Sequence, residues 1–327
     1  MDIQACFGRA FQIWKSTRKL WLLGCLAVLT GTGGISASFN VSMPSTDFER
    51  FDFLQIDEEQ LLAYLQWIHE NLLLWMSAAF IVTLLLLIVQ IVLGAWVQGA
   101  MIDLAAKADL GQEFSIRSSF AAALKRLSPL TRVMLLLRLP TFVSLAMGFV
   151  FIVFIFSQMP DWISGNISGE SIFMTFLGVF LCVLVMVLLV SVLQLLSSFL
   201  EPLALRVCLF EQQAVWASVR RSFALIRQNL GLTLLTWFGM GVVAAAIGML
   251  MSVAGIFFFL IGLSSSTPAI TYLLLGIGLL LFFGLLLGLG ALFASYLATL
   301  WNVVYRACIA PKPQYPPPSG PQPYLNG

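Results

Sequence analysis

The sequence has little charge, and this shortage excludes the soluble protein classes. Only 10% of the 327 residues are Asp, Glu, Lys or Arg, whereas 60% are hydrophobic and the mean hydropathy is +0.97. A soluble chain of this length needs a surface rich in charged and polar side chains. The composition therefore predicts an all-α integral membrane protein, because apolar stretches cross a bilayer as helices whose backbone groups are satisfied internally.

Groups for metal binding, disulfides and acid–base catalysis are also scarce. His69 is the only histidine, the five cysteines include no Cys-x-x-Cys pair, and no glycine-rich nucleotide loop is present. We therefore predict no cofactor, no metal and no enzyme activity. The net charge of +2 creates no basic field for nucleic acid, so nucleic acid is not predicted as a partner.

Six stretches with almost no charge are long enough to cross the bilayer, which takes about 20 helical residues. We place these spans at 20–39, 72–98, 134–157, 172–200, 231–262 and 269–303. The last two belong to a tract without charge between Gln228 and Tyr305, broken by a turn that ends at Pro268. The stretches predict a single six-helix transmembrane domain over residues 1–309.

Basic residues lie almost entirely on one side of these spans. With the N-terminus inside, every Lys and Arg except Arg50 falls in a cytoplasmic segment, and cytoplasmic segments are those that keep basic residues. We therefore predict a plasma-membrane protein with both termini in the cytoplasm. Residues 40–71 would form an acidic outer loop, and the Pro-rich residues 310–327 would form a disordered cytoplasmic tail.

A basic amphipathic segment precedes each pair of spans. In the third segment, apolar residues recur at helical spacing and basic residues are assigned to the other face. The apolar residues are Trp216, Val219, Phe223, Ile226 and Leu230, and the basic ones are Arg220, Arg221 and Arg227. In the second segment Arg117 stands beside a similar apolar stripe. Such helices are typical of a membrane surface, so we predict that they bind anionic lipid at the cytoplasmic face.

The amphipathic segments also share residues in detail. The tetrapeptide at 117–120, Arg-Ser-Ser-Phe, returns as Arg-Arg-Ser-Phe at 220–223, and Phe11 holds the place of Phe120 in the first segment. This similarity predicts three two-helix units, each preceded by a cytoplasmic interfacial helix and related by an axis along the membrane normal. The alternative is that any basic amphipathic helix ahead of a span has this pattern.

Two stretches resemble a known family. The segment 214–231 and the ending 300–306, in which the last span exits at a Tyr-Arg pair, are similar to the repeated signature and the ending of a prokaryotic family of six-span proteins. That family includes the membrane domain attached to some glycerophosphoryl diester phosphodiesterases. The resemblance implies a membrane module without the phosphodiesterase reaction, since that catalytic domain is a soluble barrel with histidines and metal-binding carboxylates.

Ionisable residues inside spans are the candidate functional residues, because burying charge in hydrocarbon is costly. Only Arg138 and Glu201 qualify, and each lies near the cytoplasmic end of its span. Gln98 takes the position of Glu201 in the preceding unit. Two interpretations stay open for these residues, namely local capping and pairing, for example of Glu201 with Arg206, or ligand binding.

Prolines and glycines predict local features of the spans. Pro140 predicts a kink in the third span, and Pro202 predicts a break at the end of the fourth. Gly284 and Gly288 form a GxxxG pair, which favours close packing between the last two helices.

The absence of a charge deep in any span favours a non-catalytic scaffold, accessory subunit or envelope-associated module, with the lipid bilayer and other membrane proteins as partners. The alternative is a transporter or channel for a small or lipid-like solute, in which Glu201 would pair with the cargo.

Overall fold

A computed structural model describes residues 3–32, 58–163, 169–263 and 268–310, and these residues form helices joined by short turns, with no strand among them. The helices are α1 (Ile3–Ser16), α2 (Lys19–Leu29), α3 (Glu58–Asp109), α4 (Ile116–Lys125), α5 (Leu127–Leu137), α6 (Leu139–Ile163), α7 (Gly169–Arg206), α8 (Val215–Gln228), α9 (Leu230–Leu263) and α10 (Pro268–Ile309). A π-helical turn, Val207–Glu211, follows α7. The predicted all-α class is confirmed.

Four of the described helices are long and apolar enough to cross a membrane. The qualifying segments are Leu74–Asp109 in α3, Leu177–Glu211 in α7 and its π-helical turn, Leu230–Phe257 in α9 and Gly276–Ile309 in α10. A fifth candidate is the pair α5 and α6, which passes the same criterion together but is bent by 51°. These helices coincide with the second to sixth predicted spans and support a multi-pass membrane protein.

The first predicted span differs from the structure. Helix α2 has 11 residues, which rise about 16 Å, roughly half the hydrocarbon thickness. It ends at Leu29 because Gly31 takes a positive φ of 67° and the hydroxyls of Thr30 and Thr32 both donate to the carbonyl of Ala27. A membrane span over 20–39 is therefore not confirmed, because α2 ends at Leu29 and residues 33–39 lie outside the described part of the chain.

The two prolines near the candidate residues have different effects. Pro140 lies in the first turn of α6, where its missing N–H removes no helical hydrogen bond, and the chain bends by 51° between α5 and α6. The predicted kink is thus confirmed. Pro202 lies inside α7, which continues to Arg206, so the predicted break at Pro202 is wrong.

The short helices α1, α4 and α8 each pack on a long helix. The contacts pair α1 with α10, α4 with α3 and α8 with α7. The C-terminal ends of α3, α7 and α10 meet there, and we call this end of the bundle the base. The three hydrophobic clusters of buried residues lie mainly near the base, whereas α7 is largely exposed over Leu184 to Leu196. Exposed apolar side chains on such a helix are suited to contact with lipid.

Small residues occupy matching buried positions on the three short helices. Ala10, Ser119 and Ser222, which correspond under the predicted repeat, are all 0% exposed. A small side chain at this position lets each short helix approach its long neighbour closely. This agreement is consistent with the predicted three-unit repeat, which stays a prediction.

The exposed face of α8 departs from the expected division into apolar and basic faces. Trp216 is 71% exposed and Phe223 is 59% exposed, and Arg220 and Arg227 lie beside them. Steps of three and four along a helix bring these four residues onto one stripe. The division into opposite faces therefore does not hold for Arg220 and Arg227, although Ile226 of the predicted apolar stripe is buried, together with Ser218, Ser222 and Leu225.

Close helix contacts form at different glycines from those predicted. A Cβ atom added to Gly24 would collide with the carbonyl oxygen of Ala291, so α2 and α10 touch backbone to backbone. Gly284 and Gly288 have no such neighbour within 4 Å among the described residues. Helices α9 and α10 do pack together, as predicted, but not through this GxxxG pair.

Candidate functional site

A polar cavity of about 320 Å³ opens between α2, α3, the bend of α5 and α6, α7 and α10. Its polar lining consists of Thr32, Gln98, Arg138, Thr141, Gln194, Ser197, Ser198, Glu201 and Arg206. The three candidate residues from the sequence, Gln98, Arg138 and Glu201, thus come together at one place. Arg206, which the sequence suggested only as a local partner of Glu201, also lines the cavity.

Arg138 and Glu201 form an ion pair across the cavity. Arg138 Nη2 lies 3.4 Å from Glu201 Oε1, and the side chains are 35% and 15% exposed. Arg138 reaches α7 because it occupies the bend that Pro140 forces between α5 and α6. The suggested pairing of Glu201 with Arg206 is wrong, since Arg138 on another helix is the partner.

Arg206 is buried at the end of α7, with 3% of the residue exposed. Its Nε donates to Asn302 Oδ1 at 2.6 Å, and its Nη1 and Nη2 donate to the carbonyls of Pro202 at 2.5 Å and Ala298 at 2.7 Å. Asn302 in turn donates from Nδ2 to the carbonyl of Ile102 at 2.9 Å. Three helices, α3, α7 and α10, are joined through this arginine and this amide.

Gln98 contributes to the cavity from α3. Its Nε2 donates to the carbonyl of Thr32 at 3.2 Å, which fixes the turn after α2 against α3. The predicted correspondence with Glu201 is consistent with this position, because both residues line the same cavity, Gln98 from α3 and Glu201 from α7. The amide oxygen of Gln98 has no hydrogen-bond donor among the described residues.

A second polar cluster lies at the base, outside the cavity. The Asp109 side chain is only 2% exposed, and its carboxylate contacts Arg9 Nη2 at 2.8 Å and also Arg306 Nη1. The cluster joins α1, α3 and α10. Nearby, Glu211 accepts a hydrogen bond from the Tyr305 hydroxyl at 3.0 Å and lies 3.5 Å from Arg221 Nε.

The predicted basic residues of the short helices are separate from the cavity. Arg117, Arg220 and Arg227 are exposed, and none of them lines it. Arg221 differs from them because it turns toward Glu211. The structure thus divides the predicted site residues into a cavity set and a surface set.

The sequence carries no direct signal for the burial of Asp109. Asp109 follows the apolar part of α3 like an ordinary helix-end carboxylate, and its two partners lie 100 and 197 residues away along the chain. The sequence indicates Arg206 and Asn302, separated by 96 residues, as polar groups beside apolar runs, and a neutral amide such as Asn302 is expected to join helices, as it does here. Only their packing reveals the pairing.

The chemistry available in the cavity is that of binding. Two guanidinium groups can donate to an anion, and one carboxylate can accept from a cation. Among the described residues, no group of three or more His, Cys, Asp or Glu side chains is placed to hold a metal ion.

Comparisons with known proteins return no match for this chain, whether to a family model, to a curated protein or to a solved structure. The resemblance to the membrane domain of glycerophosphoryl diester phosphodiesterases therefore stays a prediction. The polar cavity remains the feature from which a function can be inferred.

Proposed function

We propose that this protein is a non-catalytic carrier of a small polar or lipid-like solute, which it binds in the polar cavity. The observation that carries the proposal is the meeting of Arg138, Glu201 and Arg206 around about 320 Å³ of space inside an apolar bundle. This volume falls at the lower end of the range for small-molecule pockets, about 300 to 1,000 Å³.

The free-energy cost of burying these charged side chains supports a binding role. Replacing a buried ion pair by apolar side chains of similar volume is often neutral or stabilising. A bundle that served only as a scaffold would gain little from three ionised groups around a cavity. A carrier needs them, because its polar cargo has to exchange hydration for protein contacts.

We place this carrier in the plasma membrane with six spans and both termini in the cytoplasm, so that the base faces the cytoplasm. The concentration of basic residues supports this orientation. Cysteine labels at positions 57 and 166 should be reached from outside, and a label at Gln112 should be reached only from inside. A label at Gln112 that reacts from outside would reverse the orientation.

Uptake into proteoliposomes tests the carrier function. Purified protein should accumulate at least one of three radiolabelled probes, namely phosphate as an anion, choline as a cation and glycine as a zwitterion. Glu201→Gln should change that uptake at least about tenfold, because it removes a charge from the cavity wall. Asp103→Asn is the matched control, since Asp103 pairs with Lys107 at 2.6 Å on α3 outside the cavity and its loss should leave uptake unchanged.

The scaffold function remains the second candidate, because the base joins several helices through ion pairs and exposes the aromatic and basic stripe of α8. Its partners would be anionic lipid and other membrane proteins. Uptake no greater than in empty liposomes for all three probes, together with a partner recovered in a native pull-down and lost on Trp216→Ala, would favour the scaffold over the carrier.

A further inference from the structure

We propose that the polar cavity binds an anionic phosphate group, with Arg138 and Arg206 as its charge partners. This inference rests on the proposed binding function of the cavity and specifies its ligand class. The phosphate could belong to a phospholipid headgroup or to free phosphate, since both present the same tetrahedral oxygens to a guanidinium.

The charge of the cavity calls for an anion. Its ionised lining residues are Arg138 and Arg206, which are positive, and Glu201, which is negative. Two positive charges less one negative charge leave a net charge of +1 inside an apolar bundle. A bound monoanion would neutralise it.

Arg206 is the source of the excess charge. It is 3% exposed, and among the described residues no carboxylate lies within 4.0 Å of its guanidinium. Its three hydrogen bonds go to neutral acceptors, which use three of its five N–H donors but do not cancel the charge. Burying a cation without a counter-ion costs free energy, so the binding of an anion beside it is strongly favourable.

Arg138 is placed to share that anion. Its contact with Glu201 is a single one of 3.4 Å, which is long for a charge-assisted hydrogen bond. Guanidinium carries five N–H donors, so most of those on Arg138 stay available to a ligand. An incoming phosphate therefore competes with Glu201 for Arg138.

Helix α7 adds neutral donors along the same wall. Gln194, Ser197 and Glu201 follow each other at steps of three and four and so share one helix face, and all three line the cavity. The amide of Gln194 and the hydroxyl of Ser197 can donate to phosphate oxygens. The arrangement joins two cationic forks to neutral donors, which is how proteins recognise phosphate.

The substitution Glu201→Gln changes the affinity in opposite directions for an anionic and a cationic ligand. A carboxylate beside the cavity repels a bound anion and occupies Arg138, so Glu201→Gln should tighten phosphate binding about tenfold. If the ligand were a cation, the same substitution would abolish binding. The direction of the change thus decides the ligand class.

Equilibrium binding to the purified full chain is the test, with inorganic phosphate as one probe and phosphatidylglycerol retained during delipidation as the other. Phosphate binding is measured by calorimetry, and lipid retention by native mass spectrometry. Arg138→Gln should weaken binding at least about tenfold, whereas Asp103→Asn, which lies on α3 outside the cavity, should not change it. Arg138→Gln is preferred to Arg206→Gln because Arg138 is partly exposed and the fold depends on it less.

The outcomes separate this inference from the carrier function. Binding of phosphate alone assigns free phosphate as the source, and retention of the lipid alone assigns the headgroup. Failure of native protein to bind either probe, unchanged binding in Arg138→Gln, or loss of binding in Glu201→Gln would each overturn the inference. Binding without transport would retain the inference and remove the carrier function, and transport of choline or glycine without phosphate binding would do the reverse.

Discussion

Asp109 at the base and Glu201 in the cavity are two acidic residues of the bundle that are held in opposite ways. The Asp109 side chain is 2% exposed and contacts guanidinium groups from two other helices. Glu201 is 15% exposed and has one arginine contact at 3.4 Å. The carboxylate at the base therefore ties helices together, whereas the carboxylate in the cavity is left partly unsatisfied and so available to a ligand.

Removing the amide that holds Arg206 should have the largest effect on this comparison. Asn302→Leu takes away the acceptor of Arg206 Nε and removes the side-chain donor to the carbonyl of Ile102. We expect a loss of about 3 kcal/mol in the free energy of unfolding, because a buried guanidinium loses a short hydrogen bond. Denaturant unfolding in detergent measures it. A loss below about 1 kcal/mol would mean that Arg206 belongs wholly to the cavity and not to the tie between helices.

Neutralising Asp109 should cause the second largest loss in the free energy of unfolding. Asp109→Asn keeps the shape but removes the charge that Arg9 and Arg306 share, and both arginines are partly exposed, at 48% and 31%. Water can therefore compensate them in part, and we expect a loss of about 2 kcal/mol. Thermal unfolding followed by tryptophan fluorescence measures this loss. Phosphate affinity should not change in Asp109→Asn, and a change would contradict the separation of base and cavity.

The exposed stripe of α8 supplies a charge that belongs to neither centre. Arg220→Gln should weaken retention on vesicles of anionic phosphatidylglycerol by about 1 kcal/mol, the value of one basic residue near a charged leaflet. Co-sedimentation at low and high salt measures it, and the difference should vanish at high salt. Equal retention of both proteins at low salt would assign the stripe to protein contacts.

Neutralising Glu201 should have the smallest effect on stability. The pair with Arg138 is long and partly exposed, so Glu201→Gln should change the free energy of unfolding by about 0 to 1 kcal/mol. The comparison is sharpest when Asp109→Asn and Glu201→Gln are measured side by side in the same detergent. A larger loss in Glu201→Gln would make Glu201 a structural tie like Asp109.

The apolar runs of the sequence predicted the long helices, because run length alone decides whether a helix can cross a bilayer. They could not locate the end of α2, which depends on the positive φ of Gly31 and on the hydroxyl bonds of Thr30 and Thr32. Local backbone geometry of this kind is weakly encoded in hydropathy.

For the cavity, too, the sequence predicted some features and not others. Gln98, Arg138 and Glu201 could be selected because each interrupts an apolar run, and a polar group at such a position needs a partner. The sequence could not show how close these three side chains lie, since this depends on the 51° bend at Arg138. It could not show that Arg206 joins them either, since this depends on its packing against Asn302, 96 residues away. Asp109 was missed because nothing in its sequence neighbours indicates burial.

The packing of α1 on α10 has a consequence for the biogenesis of the protein. The indole of Trp14 donates to the Ser295 hydroxyl at 2.9 Å, across 281 residues of sequence, and Arg9 meets Arg306 at the same carboxylate. During synthesis α1 is made first, and it lacks its packing partner until α10 has been synthesised and inserted. Until then, the face of α1 that packs on α10 is accessible to insertion factors and proteases. Packing of α10 covers this face and completes the base.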